Sequence, residues 1–248
     1  MIRLTRPAIP SGHAARASNG TTKLWDEWNT TGITPEVKSG IYAHQSVKKA
    51  LMAAQHNKCA YCETLNPTSH DVVEHFRPKN GWQQKRGNPL SKPAYFWLGY
   101  EWENLLFACD HCNDAAHKGN IFPLANPSQR ADAASPDITN EKPLLINPYV
   151  VDPDRHIEWN RDIPRPRNKS RRGSKSIDIF GLDHDGLMMD QRRQYLKTAE
   201  NILTLVEALP VDNPERLAVV PQLLDFLKDS APWAAMIRSN LEGRIRAL

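Results

Sequence analysis

The apolar positions along the chain change period several times, and each change marks an expected element. Ile41, Val47, Leu51 and Ala54 recur at roughly helical spacing, with no Pro or Gly between Ile41 and His56, so this stretch is predicted as a helix. Asp71 to Phe76 is a short β-branched segment stopped by Pro78, the profile of a strand. Asn104 to Cys109 is a second candidate strand, and Asp110 can cap a following helix that holds Asn113 and His117. Pro-rich connections run from Pro123 to about Pro166. From Leu187 the period is helical again, with Leu196, Ile202, Leu203, Val206 and Leu209 on one face. Pro210 and Pro214 punctuate it. Further helices hold Leu223–Leu227 and Trp233–Leu241, and Pro221 should kink or break the middle one.

Four segments follow. Residues 1–40 are rich in Pro, Gly, Ser and Thr and are expected to be mostly irregular, with one short helix around Leu24–Trp28. Residues 41–125 form the chemistry-bearing core, 126–186 a Pro-rich and basic connecting region, and 187–248 a helical C-terminal region. The fold class expected is α+β. With 40% hydrophobic and 24% charged residues the chain has the composition of a folded protein rather than a disordered one.

A net charge of +4 suits a polyanionic partner but is weak evidence by itself. Its distribution says more. Arg161, Arg165, Arg167, Lys169, Arg171, Arg172 and Lys175 face a single acid, Asp162, within one stretch, which either tracks a phosphate backbone or is a solvated loop. No apolar run approaches the roughly 18–20 residues of a membrane span, and the N-terminus lacks the apolar core of a signal peptide. A cytoplasmic chain without a membrane partner is predicted, and in a reducing compartment paired cysteines are metal ligands rather than disulfides.

All four cysteines fall in two Cys-x-x-Cys knuckles, Cys59-Ala60-Tyr61-Cys62 and Cys109-Asp110-His111-Cys112. Two intervening residues let both thiolates of a knuckle reach one tetrahedral ion. Four thiolates leave no open coordination position, so the expected Zn²⁺ is structural. Between the knuckles lies Val72 to Lys79, with Glu74 and His75 adjacent. On a strand their side chains point to opposite faces unless the backbone bends before Pro78. On the expected helix Asn113 and His117 are four apart and share a face. With Glu74 they would offer two oxygens and an imidazole to a hydrated divalent ion.

The order CAYCE, VEHFRPK, NLLFACDHCN and HKGNIFPL resembles the HNH, or ββα-metal, nuclease superfamily. The resemblance implies a zinc-stapled ββα-metal core. By position, Glu74 resembles the metal ligand that precedes the base and His75 the general base. Asn104 resembles the residue that fixes the loop bearing the base, and Asn113 the helix ligand. His117 matches the second ligand of the subgroup that uses an i, i+4 pair. EHFRPK, the aromatic run AYFWLGYEWENLL, then EKPLLINPYVVDP and IDIFGLD resemble more closely the HNH nuclease subunit of bacterial Septu and retron anti-phage systems, over roughly Ile41 to Arg193. That resemblance implies an ABC- or SMC-like ATPase partner. One departure is the Asp-Ala-Ala-His segment between Asn113 and Lys118, which sets the final basic residue farther from the Asn than the family pattern.

Phosphodiester hydrolysis needs a base at neutral pH and a cation against the phosphate charge. In this reading His75 deprotonates water. Mg²⁺ or a similar ion sits on Glu74 and Asn113, and Arg77, Lys79 or Lys118 neutralises the phosphate of a nucleic acid, DNA in first place. The Tyr95–Trp102 cluster is read as core in preference to a base-stacking platform. Two rival functions stay open. One is a non-catalytic zinc-knuckle module that binds nucleic acid or protein. The other is a stand-alone restriction or toxin nuclease with no ATPase.

Overall fold

The computed structural model describes residues 1–65, 72–184 and 186–248. Strands β1 (Val72–His75) and β2 (Leu105–Ala108) pair antiparallel, with Val73 opposite Phe107, Glu74 opposite Leu106 and His75 opposite Leu105. Asp71, placed by sequence at the head of the first strand, lies outside the described residues. The four residues of β2, Leu-Leu-Phe-Ala, are all buried, as expected of a strand covered on both faces. On one side Val47 and Leu51 of helix α3 (Gln45–Ala54) pack with Val73, Leu105, Phe107 and Trp102. On the other, Leu106 and Ala108 enter the main core.

The expected helix over Ile41–His56 is two helices. A single turn, α2 (Ser39–Tyr42), ends at Ala43, and His44 then starts α3 by accepting the Ser46 N–H on Nδ1 at 3.2 Å.

The N-terminal segment differs more. Helix α1 spans His13–Thr31 where mostly irregular chain was expected. Its Pro and Gly residues lie mainly outside the helix: Pro7, Pro10 and Gly12 precede it and Gly32, at φ 64°, ends it. Gly20 inside it lets the Tyr100 ring approach, since a Cβ there would lie 2.6 Å from Tyr100 Cε2. Packing against the aromatic run, with Trp25 edge-on to Phe96 at 5.1 Å, stabilises a helix that propensity alone would not.

After β2 the helix α4 (Asp110–Asn113) is a single turn. Asp114 is extended (φ −65°, ψ 171°), so Asn113 and His117 do not share a helix face as the sequence suggested. The basic stretch is not a loop either. It forms part of a hairpin, β3 (Ile157–Asn160) with β4 (Ile163–Pro166), and then helix α5 (Arg171–Ile179). Pro164 and Pro166 are tolerated because the sheet has two strands, leaving an edge that needs no donors. The C-terminal helices are α6 (Leu187–Glu207), α7 (Pro214–Asp225) and α8 (Ala234–Ile245). Leu196, Leu203 and Val206 are buried, as the period predicted. Helix α7 runs through Pro221 instead of breaking there.

Tyr95, Phe96, Trp97, Tyr100 and Trp102 are all buried, which settles the aromatic cluster as core. No helix among the described residues is long and apolar enough to cross a membrane.

Candidate functional site

The four cysteine sulfurs converge to within 4.8 Å of one another, and Cys62 Sγ stands 3.7 Å from Cys109 Sγ. Four sulfurs placed tetrahedrally at 2.3 Å from one ion would be about 3.8 Å apart, so the donor set fits Zn²⁺. Gln55 holds the first knuckle against β2. Its amide donates to Phe107 O (2.7 Å) and Lys58 O (3.0 Å), its oxygen accepts the Phe107 N–H (2.9 Å), and Ala60 N donates to Phe107 O (3.0 Å). The second knuckle begins where β2 ends. Lys58 Nζ donates to Ala231 O (2.7 Å), which ties the first knuckle to the C-terminal helices.

Hydrogen bonds among the buried sulfurs divide the protons unevenly between them. Hydrogen bonds from Cys109 and the other two cysteines hold Cys62 well below the usual thiol range, while Cys112 is pushed well above it, first by its bond with Cys109. A divalent cation removes that conflict. Arg192, fully buried over the Trp159 ring at 4.8 Å, is a positive charge that Cys62 and Cys112 attract.

Next to this cluster Glu74, His75, Pro78, Lys79, Asn80, Asn113, Gly119 and Asn120 line a polar cleft of about 200 Å³. Glu74 and His75, successive on β1, both reach it. His75 is buried, and its Nε2 lies 2.9 Å from Gly99 O. A carbonyl only accepts, so Nε2 carries the proton and Nδ1 holds the lone pair. Burial, and then the charge of Lys79, lowers the His75 pKa well below the ordinary imidazole range and outweighs the Gly99 bond, so the ring is neutral at pH 7. Lys79 Nζ is 3.4 Å from Nδ1 and 4.7 Å from the centre of the Tyr42 ring, which itself meets His75 edge-on at 4.4 Å.

Glu74 and Asn113 put a carboxylate and an amide on the cleft, with Asn80 and Asn120 beside them. Oxygen-rich donors of this kind suit a hard divalent ion that keeps several waters. Lys118, fully buried, pairs with Glu74 Oε1 and donates to His75 O at 2.9 Å.

Asn104 ties together the two segments that frame His75. Its Oδ1 accepts the Arg77 N–H (2.8 Å), and its Nδ2 donates to Arg77 O and Leu98 O, both at 3.1 Å. Leu98 precedes Gly99, whose carbonyl orients the His75 ring. We expect Asn104→Ala to destabilise the fold by on the order of 3 kcal/mol, because it strips three partners from a buried site. Urea denaturation measures this. A shift of the midpoint within error of zero would mean that water replaces the amide without cost.

Three sequence-predicted residues are placed elsewhere than expected. His117 does not line the cleft. Asp114 holds its Nδ1 at 2.8 Å, and its ring packs on His111 at 3.9 Å and near His184 at 5.5 Å. Arg77 pairs with Glu141, Nε to Oε2 at 2.7 Å, and Lys118 with Glu74, so each charge already has a carboxylate partner. Of the three candidate cations, Lys79 alone lines the cleft.

Glu141 was not foreseen. Its buried carboxylate also accepts from Tyr95 OH (2.6 Å) and Ala131 N (3.0 Å), bracing the turn after His75 from behind. No local spacing links it to residue 77. The signal available was an acid two residues before the largely apolar run that begins at Pro143.

No family model matches this chain, and no solved structure matches it. Curated proteins do. The Septu protein PtuB of Bacillus mycoides (strain KBAB4) is 35% identical over 235 residues, which cover 93% of this chain and 76% of that protein. The Septu protein PtuB of Bacillus thuringiensis is 28% identical over 211 residues, 84% of this chain and 65% of that one. The Septu protein PtuA of the same B. mycoides strain is 28% identical over 148 residues, 60% of this chain but 20% of that longer protein. The closeness to a Septu subunit that the motifs implied is thus met by relatives matched along nearly the whole chain, and on that ground the chain belongs to the Septu PtuB family.

Proposed function

We propose that this chain is a divalent-metal-dependent endonuclease of the HNH type that hydrolyses phosphodiester bonds of nucleic acid, DNA in first place. Its biological role would be that of an effector in bacterial anti-phage defence, working with an ATPase subunit. The observation that carries the reading is the placement of His75: its Nε2 lies on Gly99 O and its Nδ1 near Lys79 Nζ, at a polar cleft that also holds Glu74 and Asn113.

Such a ring is set to accept a proton from water. As it becomes imidazolium, the Nε2–H···O bond to Gly99 strengthens and keeps the ring aimed. Lys79 covers Nδ1, and an incoming phosphate offers its ammonium a stronger, charged partner, which would draw it off the lone pair. A hydrated divalent ion on Glu74 and Asn113 would neutralise charge on the phosphate and its leaving oxygen. Lys118 neutralises one oxygen of Glu74 and, through His75 O, holds the strand end in place. A non-catalytic zinc module would not need a neutral, aimed His75. Membership of the Septu PtuB family supports the defence role and a partner protein.

Plasmid relaxation by the zinc-loaded protein, with Mg²⁺ or Mn²⁺ and with added ATPase subunit, tests the proposal. Cleavage by the zinc-loaded protein is expected to stop when Mg²⁺ and Mn²⁺ are left out of the buffer. Asn113→Ala is expected to lower it at least about 10–100-fold, the loss seen when even an outer partner of a bound metal is removed. Cleavage that persists without added Mg²⁺ or Mn²⁺ would rule out the catalytic metal requirement, and an undiminished Asn113→Ala would remove that ligand.

A further inference from the structure

Beside the cleft lies a second depression, of about 460 Å³. Lys85, Arg86 and Lys175 line it with one acid, Asp178, and its floor is apolar: Pro123, Leu144 and Ile179. Hydrogen bonds link the segments that line the two depressions. Gln83 N donates to Asn120 O at 2.9 Å, and Asn120 lines the cleft, while the Arg86 guanidinium donates to Ala116 O in the turn that follows Asn113.

The chemistry of this groove selects its ligand. Lys85 and Lys175 are exposed. Lys175 pairs with Asp178 only at 3.6 Å with about half of each side chain in solvent, and such a pair costs little to break. Three cations against one acid suit an anion, and the apolar floor suits a sugar or base edge, so a polynucleotide strand fits better than free phosphate. Lys175 closes the basic stretch that begins at Arg161. Other members of that stretch are already engaged, Arg161 with Glu200 and Arg172 with Pro143 O.

We infer that this groove binds the phosphodiester backbone on one flank of the cleavage point, and that it contributes affinity without touching the reacting atoms. The inference rests on the nuclease reading above. Binding of a labelled DNA duplex to the zinc-loaded full chain, followed by fluorescence anisotropy across a salt series in Ca²⁺, tests it.

Lys85→Ala/Lys175→Ala is expected to reduce the slope of log affinity against log salt by about 2 and to weaken binding about ten- to hundredfold near 0.1 M salt. Lys85→Arg/Lys175→Arg should keep both. Unchanged zinc content and melting in the variants exclude misfolding. If the wild type cuts DNA and the alanine variant shows an unaltered slope and affinity, the groove is overturned and the nuclease reading stands. If the wild type binds DNA, loses affinity in the alanine variant and never cuts, even with the ATPase subunit, the groove stands as a nucleic-acid site and the nuclease reading falls. A wild type that binds no nucleic acid overturns the groove.

Discussion

Replacing His75 by alanine is expected to lower phosphodiester cleavage by about 10²–10⁴-fold, the contribution typical of one positioned general base. His75→Gln should fail equally. Its amide can still reach toward Gly99 O and fill most of the space, but it has no lone pair basic enough to take a proton. Comparing the two separates chemistry from packing, because alanine leaves a cavity beside Tyr42 and glutamine leaves a smaller one. Both variants should carry full zinc, since His75 does not touch the cysteine cluster. The measurement is plasmid relaxation under single-turnover conditions with Mg²⁺ or Mn²⁺, at matched zinc content. Undiminished cleavage by His75→Gln would sink the assignment of the base.

Removing the ion from the four-cysteine cluster should unfold the chain. Tetrathiolate zinc binding contributes on the order of 10 kcal/mol in small zinc domains, and whole domains are stable by only about 5–15 kcal/mol. Here the cluster joins sequence segments 47 residues apart, Cys62 to Cys109, and fastens β2 to the first knuckle. Chelator treatment, or Cys59→Ser, is therefore expected to abolish the cooperative thermal transition and to release one Zn²⁺ per chain. Near-UV circular dichroism and a colorimetric zinc assay read the two effects together. A chelated protein that melts as before would show that the thiols pack as ordinary buried side chains.

The two effects would differ in kind. One removes chemistry from an intact scaffold, the other removes the scaffold.

The cysteine cluster was legible because its ligands come in local pairs, and local spacing survives in sequence. The paired strands were legible for a related reason: Val73 and the run Leu105 to Ala108 are apolar over lengths too short for much else. Helix α1 was misread because Pro and Gly were counted without regard to where they fall, and because its stabilising partner, the aromatic run, lies some seventy residues away. The single turn of α4 was overextended because Asn113 and His117 have helical spacing and nothing local records that Asp114 turns out of the helix.

Residue type and spacing by themselves determined the fourfold thiol site, the adjacency of Glu74 and His75, the two-strand core and the C-terminal helices. These depend on interactions within a few residues, or on a periodicity that one face must bury. Tertiary structure decided how the charges are partnered. Arg77 is taken by Glu141 and Lys118 by Glu74, while Lys79 keeps its place in the cleft. It also decided the tautomer of His75, through a carbonyl 24 residues distant. The physical reason is common to all of these. A buried charge or ring nitrogen must find a partner of the right sign and geometry, and that partner is chosen by the packing of distant segments, which no local pattern encodes.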